Sequence, residues 1–275
     1  MFNMLRRNWP EYLIEAWALG TFMLSAAVFT TLIDRPGALI HDRLADSDLR
    51  RMLIGIAMGA TAIVLIYSPW GQRSGAHMNP AVTLTFLRLG RIRGMDAVGY
   101  IAAQFIGGIA GVVVAAALLG EGFTAPPVNH VVTVPGAPGA GVAFAAELAI
   151  SAVMMLIILT ASRTPRLARY TGLVAGTLVA TWITVEGPLS GMSMNPARTL
   201  ASAVSARMFD SLWIYFTAPV IGMQLGALAH RWLRPRSAGC AKLQHGAGQR
   251  CIHCGYVPAG GVAPVQARNS QSSKV

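Results

Sequence analysis

Two asparagines in this chain each stand directly before a proline, inside nearly the same twelve residues. Asn79 lies in Ser74–Thr85 (SGAHMNPAVTLT) and Asn195 in Ser190–Ala201 (SGMSMNPARTLA). Asn is a preferred helix N-cap and Pro a preferred first helical residue. Asn79-Pro80-Ala81 and Asn195-Pro196-Ala197 therefore each read as a helix start. A capping Asn accepts backbone donors with its amide oxygen and leaves its NH₂ free to face a lumen. Two such donors would hold a passing water by its oxygen and interrupt the hydrogen-bonded chain that a proton needs. The plainer reading is two ordinary turns. A matched pair with matched flanks, 116 residues apart, argues instead for one site built from two halves.

The elements that must position these asparagines are membrane spans. Charged residues make up 12% of the chain and apolar residues 54%. A soluble domain carries about 25% charged residues, so the surface of this chain must largely face lipid. Six apolar stretches approach the ~20 residues that a bilayer core requires: Tyr12–Ile33, Met52–Trp70, Ala97–Leu119, Val142–Ala161, Tyr170–Val185 and Leu212–Leu233. The first is too long for a cleavable signal and carries Glu15 just inside it. The net charge of +11 reads as a positive-inside bias rather than a nucleic-acid footprint. Arg6, Arg7, Arg88, Arg91, Arg93, Arg163, Arg166, Arg169, Arg231 and Arg234 then fall on the cytoplasmic side, with both termini. The stretch from Gly120 to Gly141 has no Lys or Arg and reads as external.

The repeat extends beyond the Asn-Pro motifs. Gly55 and Gly59 are matched by Gly172 and Gly176, and Tyr100, Gly107 and Gly111 by Tyr215, Gly222 and Gly226. Glu15 and Glu147 hold comparable places early in spans one and four. The unit is three spans plus one motif, used twice. An odd number of spans inverts the second copy and places the site near the membrane midplane. The helix after Asn79 can run only to about Leu89, and about ten residues cover about 15 Å, half the hydrocarbon core. Each motif thus predicts a half-helix preceded by irregular backbone, which is tolerated at that depth only inside protein or along a wet cavity. Opposed half-helices bring two positive N-termini together, a barrier to cations and protons.

On these residues the chain resembles the aquaporin, or major intrinsic protein, family over about residues 10 to 235. The resemblance implies an all-α membrane fold of six transmembrane helices and two re-entrant half-helices in an inverted repeat. Four such protomers would form a homotetramer with a pore in each. The domain expected is 11–235, with halves at about 11–120 and 141–235, between a cytoplasmic N-terminal segment (1–10) and a flexible cytoplasmic tail (236–275). The resemblance makes Asn79 and Asn195 the paired pore asparagines and Arg198 the filter arginine. It makes Glu15 and Glu147 the buried carboxylates that hold the re-entrant loops. An arginine's planar donor fork in a narrow pore attracts water oxygen and repels cations.

The rest of the filter departs from the water-selective pattern, which has His where this chain has Ile183. Met192 occupies the loop position, and the span-two position falls on Met58, or on Gly59 by a gapless count. Apolar walls weaken discrimination for water and favour small neutral solutes. The glycerol branch, however, carries Asp after the filter arginine, and this chain has Thr199. The expectation is a passive channel for water and small neutral solutes, with glycerol, ammonia and hydrogen peroxide as alternatives. It is not an enzyme, requires no cofactor, and has the lipid bilayer and itself as partners. An ion-coupled transporter would need intramembrane charges beyond Glu15, Glu147 and Arg198, and the only other candidate is Glu186, at the end of span five. The compact loops suggest a prokaryotic inner membrane.

One cluster stands apart. Cys240, His245, Cys251 and Cys254 are spaced C-x4-H-x5-C-x2-C in the tail, and His253 could replace His245. Zinc takes tetrahedral Cys/His sets and C-x2-C is a common half-site. A zinc knuckle and free thiols on a disordered tail are both open readings.

Overall fold

In a computed structural model, which describes residues 2–233, 239–245, 248 and 250–257, the chain is all helical. Eight helices carry the architecture: α1 (Phe2–Asp34), α2 (Ser47–Tyr67), α3 (Pro80–Arg88), α4 (Gly94–Leu119), α5 (Ala140–Arg163), α6 (Thr171–Val185), α7 (Pro196–Ala206) and α8 (Leu212–Leu233). Five of them, all but α3, α6 and α7, are long and apolar enough to cross a membrane. The span expected at Tyr170–Val185 is a 15-residue helix, α6. Single turns at Ala168–Tyr170 and Gly187–Ser190 flank it. The boundary expected at residue 10 is not an element boundary. Helix α1 begins at Phe2 and carries Pro10 inside it, at the cost of the one backbone bond that a proline nitrogen cannot donate.

The inverted repeat is visible in the packing. Helix α1 lies on α4 in the first half and α5 on α8 in the second, while α2 and α6 cross between them. The crossings depend on missing side chains. A Cβ on Gly59 would sit 2.5 Å from the Gly176 carbonyl oxygen, and one on Gly107 would sit 2.0 Å from that of Ala16. Backbones meet where the matched glycines stand, as small-xxx-small patterns allow. Ile56, Val64, Val98, Ile106, Leu118 and Leu228 point outward and are exposed, the surface that lipid must cover.

One end of the bundle gathers the start of α1, the end of α2 and the start of α4. There Asn8 and Tyr12 donate to Asp96, Arg73 pairs with Glu11, and the Tyr67 hydroxyl reaches the Arg169 carbonyl. At the opposite end Arg50 pairs with Asp34 and Arg51 donates to the Thr184 carbonyl. The tail was expected to be flexible. Its described residues instead fold back on the first end, with Ala241, Lys242, Leu243 and Cys251 buried. Residues 236–238, 246, 247, 249 and 258–275 of that tail lie outside the described residues.

Candidate functional site

The two Asn-Pro motifs build one site. The Asn79 amide oxygen accepts from the Ala81 N–H at 2.8 Å, and that of Asn195 from Ala197 and Arg198 at 3.0 and 3.2 Å. Both asparagines are N-caps with Pro as the next residue, and the helices they open, α3 and α7, run nine and eleven residues. At 1.5 Å per residue these cover about 14 and 17 Å, half a bilayer core. Each asparagine also donates across the repeat. Asn79 Nδ2 reaches the Met194 carbonyl and Asn195 Nδ2 the Met78 carbonyl, both at 2.7 Å. The sequence had left these NH₂ groups wholly to the lumen. One N–H of each instead ties the two loops together.

The loops before the asparagines hold an unusual backbone. Ala76 and Met78 in one, and Met192 and Met194 in the other, have φ between 44° and 53°, the left-handed region that non-glycine residues rarely occupy. Matched strain at matched positions persists only when surroundings impose it. Here two buried carboxylates do so. Glu15 Oε1 accepts from the His77 N–H and the Ser74 hydroxyl, and Oε2 from the Met78 N–H and Gln104 Nε2. Glu147 Oε1 accepts from the Ser193 N–H and the Ser190 hydroxyl, and Oε2 from the Met194 N–H. Tyr100 and Tyr215 complete the symmetry by donating to the Ser74 and Ser190 carbonyls. Each carboxylate thus accepts two consecutive backbone N–H groups of the loop that precedes its asparagine.

A cavity of about 470 Å³ runs past both asparagines, lined by Met58, Ile183, Met192 and Arg198 among others. All four expected filter residues share its wall. Of the two span-two candidates, Met58 faces the cavity, whereas Gly59 is spent on the contact with Gly176. Arg198 Nη1 is buried with no hydrogen-bond partner among the described residues, a donor left for what enters. Glu186 is buried but is not part of the cavity wall.

Three contributions were missed in the sequence. Val131 and Val132, from the loop before α5, line the cavity, and the next residue, Thr133, bonds the buried Thr199 at 2.8 Å. His77 donates from Nε2 to the Ala241 carbonyl at 2.6 Å. Leu243, from the tail, joins the same cavity wall. Nearby, the four tail residues Cys240, His245, Cys251 and Cys254 come together, each offering one ligand atom within 4.8 Å of the others. His253 faces the Ser74 carbonyl instead, so it does not replace His245. Burial holds its imidazole down to about 4.

Comparison with known proteins follows this geometry. The family model for major intrinsic proteins matches residues 8–230. A probable aquaporin NIP7-1 of Arabidopsis thaliana is 32% identical over 232 residues, covering 84% of this chain and 80% of that protein. Aquaporin NIP2-2 of Zea mays is 38% identical over 189 residues, 68% of this chain and 62% of the relative; the chain thus spans less than two thirds of that protein's length. These relatives are plant proteins, which lends no support to the prokaryotic inner membrane expected from the loops. The X-ray structure of the aquaglyceroporin from Plasmodium falciparum superposes with a TM-score of 0.68 at 19% identity, over 82% of this chain and 97% of that one. At that identity the likeness speaks for the fold.

Proposed function

The chain belongs to the major intrinsic protein family, and from that premise we propose that its pore admits small neutral solutes of the polyol class as well as water. The protein is a passive multi-pass membrane channel for water and small neutral solutes, in a family of channels rather than enzymes. The observation that carries the finer reading is the wall shared by Met58, Ile183, Met192 and Arg198. Three apolar side chains line the cavity together with one cationic donor. A polyol can turn its carbon face to the methionines, which adapt to irregular shapes, and its hydroxyls to Arg198. Charged species meet Arg198 and two helix N-termini, which repel cations and protons.

An ion-coupled transporter is disfavoured by the carboxylates. Both oxygens of Glu15 and of Glu147 already accept backbone N–H groups, so neither is available to relay a proton. The orientation proposed puts both termini on the cytoplasmic side, which the greater number of basic residues on that side supports against Arg35, Arg43, Arg50 and Arg51 on the other. The assembly proposed is a homotetramer with a pore in each protomer, as the family resemblance implies.

Stopped-flow light scattering on proteoliposomes tests the solute. Fast shrinkage in an impermeant osmolyte followed by fast reswelling in glycerol is the expected result. Shrinkage without reswelling would mean that Met58 and Met192 close the gap and leave a water pore. No response to either gradient would put ammonia and hydrogen peroxide first. Replacing Arg198 by Ala is expected to speed glycerol entry and admit cations; an unchanged response would remove Arg198 from the filter.

A further inference from the structure

The tail brings a metal-ligand set and the inner mouth of the pore into one small unit. Cys240 Sγ lies 3.3 Å from Cys251 Sγ, and His245 Nε2 lies 3.4 Å from Cys254 Sγ. All four ligand atoms fall within 4.8 Å of one another. A tetrahedral zinc, with Zn–S about 2.3 Å and Zn–N about 2.0 Å, holds its ligand atoms roughly 3.5–3.8 Å apart. The arrangement needs only a small contraction to close on an ion. Three sulfurs and one imidazole suit zinc; calcium and magnesium call for oxygen.

The same segment is docked on the first re-entrant loop. The Leu243 N–H donates to the Gly75 carbonyl, Lys242 Nζ to the Gln72 carbonyl, and His77 Nε2 to the Ala241 carbonyl. His253 Nε2 faces the Ser74 carbonyl at 3.1 Å. Leu243 is 5% exposed and belongs to the same buried apolar cluster as Ile66, Ala76, Met154, Ile158 and Met223. These six residues all line the cavity that passes Asn79 and Asn195. A segment this short has almost no core of its own, and chains below about 40 residues usually need a metal or a disulfide to hold a shape.

We propose that Cys240, His245, Cys251 and Cys254 bind one zinc ion, and that the metal holds Ala241–Leu243 as a plug across the inner mouth of the pore. Binding displaces the thiol protons to solvent, and the imidazole binds neutral. With the ion in place the plug is fixed and the inner mouth is narrowed, so that the loaded channel conducts several-fold less than the metal-free one. When the ion is removed the knuckle loses its cross-link, Leu243 leaves the wall, and the mouth opens. This gate rests on the channel reading and on the inner end facing the cytoplasm, where thiols stay reduced and available.

The test uses full-length protein. Metal analysis of the wild type should give one zinc per chain, and Cys251→Ser and His245→Ala should lose it. Little zinc in the wild type, equal zinc in the variants, or iron in its place would overturn the site. In proteoliposomes, a membrane-permeant chelator should raise water permeability several-fold, and zinc chloride should reverse the rise. Leu243→Ser should retain zinc yet conduct as the chelated wild type does. Wild-type vesicles that already conduct, with no change on chelation or in Leu243→Ser, would overturn the gate while leaving the channel reading intact. Vesicles that conduct under none of these conditions would overturn both.

Discussion

At the scale of single residues, the fold turns on the fact that each buried carboxylate presents both oxygens to backbone donors. Glu15 takes the His77 N–H on one oxygen and the Met78 N–H on the other, and Glu147 does the same for Ser193 and Met194. A glutamine in either place is isosteric but cannot serve both. Whichever way its amide turns, its NH₂ meets a backbone N–H, and one buried donor goes unpaired at a cost of about 1–3 kcal/mol. The loop's strained residues then lose what holds them. Glu15→Gln and Glu147→Gln are each expected to lower the thermal midpoint in detergent and to reduce water permeability. Glu121→Gln, at an exposed position, should change neither. Gln variants as stable as that control would show that the loops hold their own shape.

At the scale of elements, the crossing of backbones at matched glycines is what lets short and long helices share one bundle. A Cβ at Gly107 would lie 2.0 Å from the Ala16 carbonyl oxygen, whereas one at Gly94 meets nothing within 4 Å. The same change, Gly→Ala, should therefore separate them. At Gly94 it is expected to be neutral or mildly stabilising, since alanine favours a helix by about 1 kcal/mol. At Gly107 overpacking should cost about 1–3 kcal/mol or more, read as a lower midpoint and poorer yield of folded protein. Equal effects would mean that α1 and α4 can part without loss. These elements were largely legible in the sequence, because Asn-Pro start signals, paired glycines and apolar lengths are local properties. The two half-helices began at Pro80 and Pro196 as their caps dictate. What was not legible depended on distant partners. Whether Met58 or Gly59 faces the cavity is decided by the crossing at Gly176. The ordering of the tail depends on donors and acceptors of the first re-entrant loop, more than 160 residues earlier in the chain. No periodicity within residues 236–275 could have signalled that contact, although the Cys/His spacing did mark the residues that meet there.

At the scale of the whole molecule, the two halves are joined at their centre by a pair of reciprocal hydrogen bonds, Asn79 to the Met194 carbonyl and Asn195 to the Met78 carbonyl. Each asparagine caps its own half-helix and grips the other loop, so local capping and global closure rest on the same two side chains. Alanine at either position removes a cap, worth about 1 kcal/mol, together with one cross-repeat bond. Once one bond is lost the loops can separate slightly, and the second bond has less left to hold. The double variant Asn79→Ala with Asn195→Ala should therefore lose less stability than the two single losses added, with a coupling in the range of about 0.5–3 kcal/mol found for residues that share a network. Thermal midpoints of the four proteins in one detergent measure it. The seam should also show in transport, because on the proposed reading the remaining N–H of each asparagine orients passing water and is set by the same bonds. Each single variant should admit protons, detected by a pH-sensitive dye trapped in vesicles under an imposed pH gradient. Strict additivity in stability, with proton exclusion intact, would mean that the halves close through their glycine crossings alone and that the asparagines serve only as helix caps.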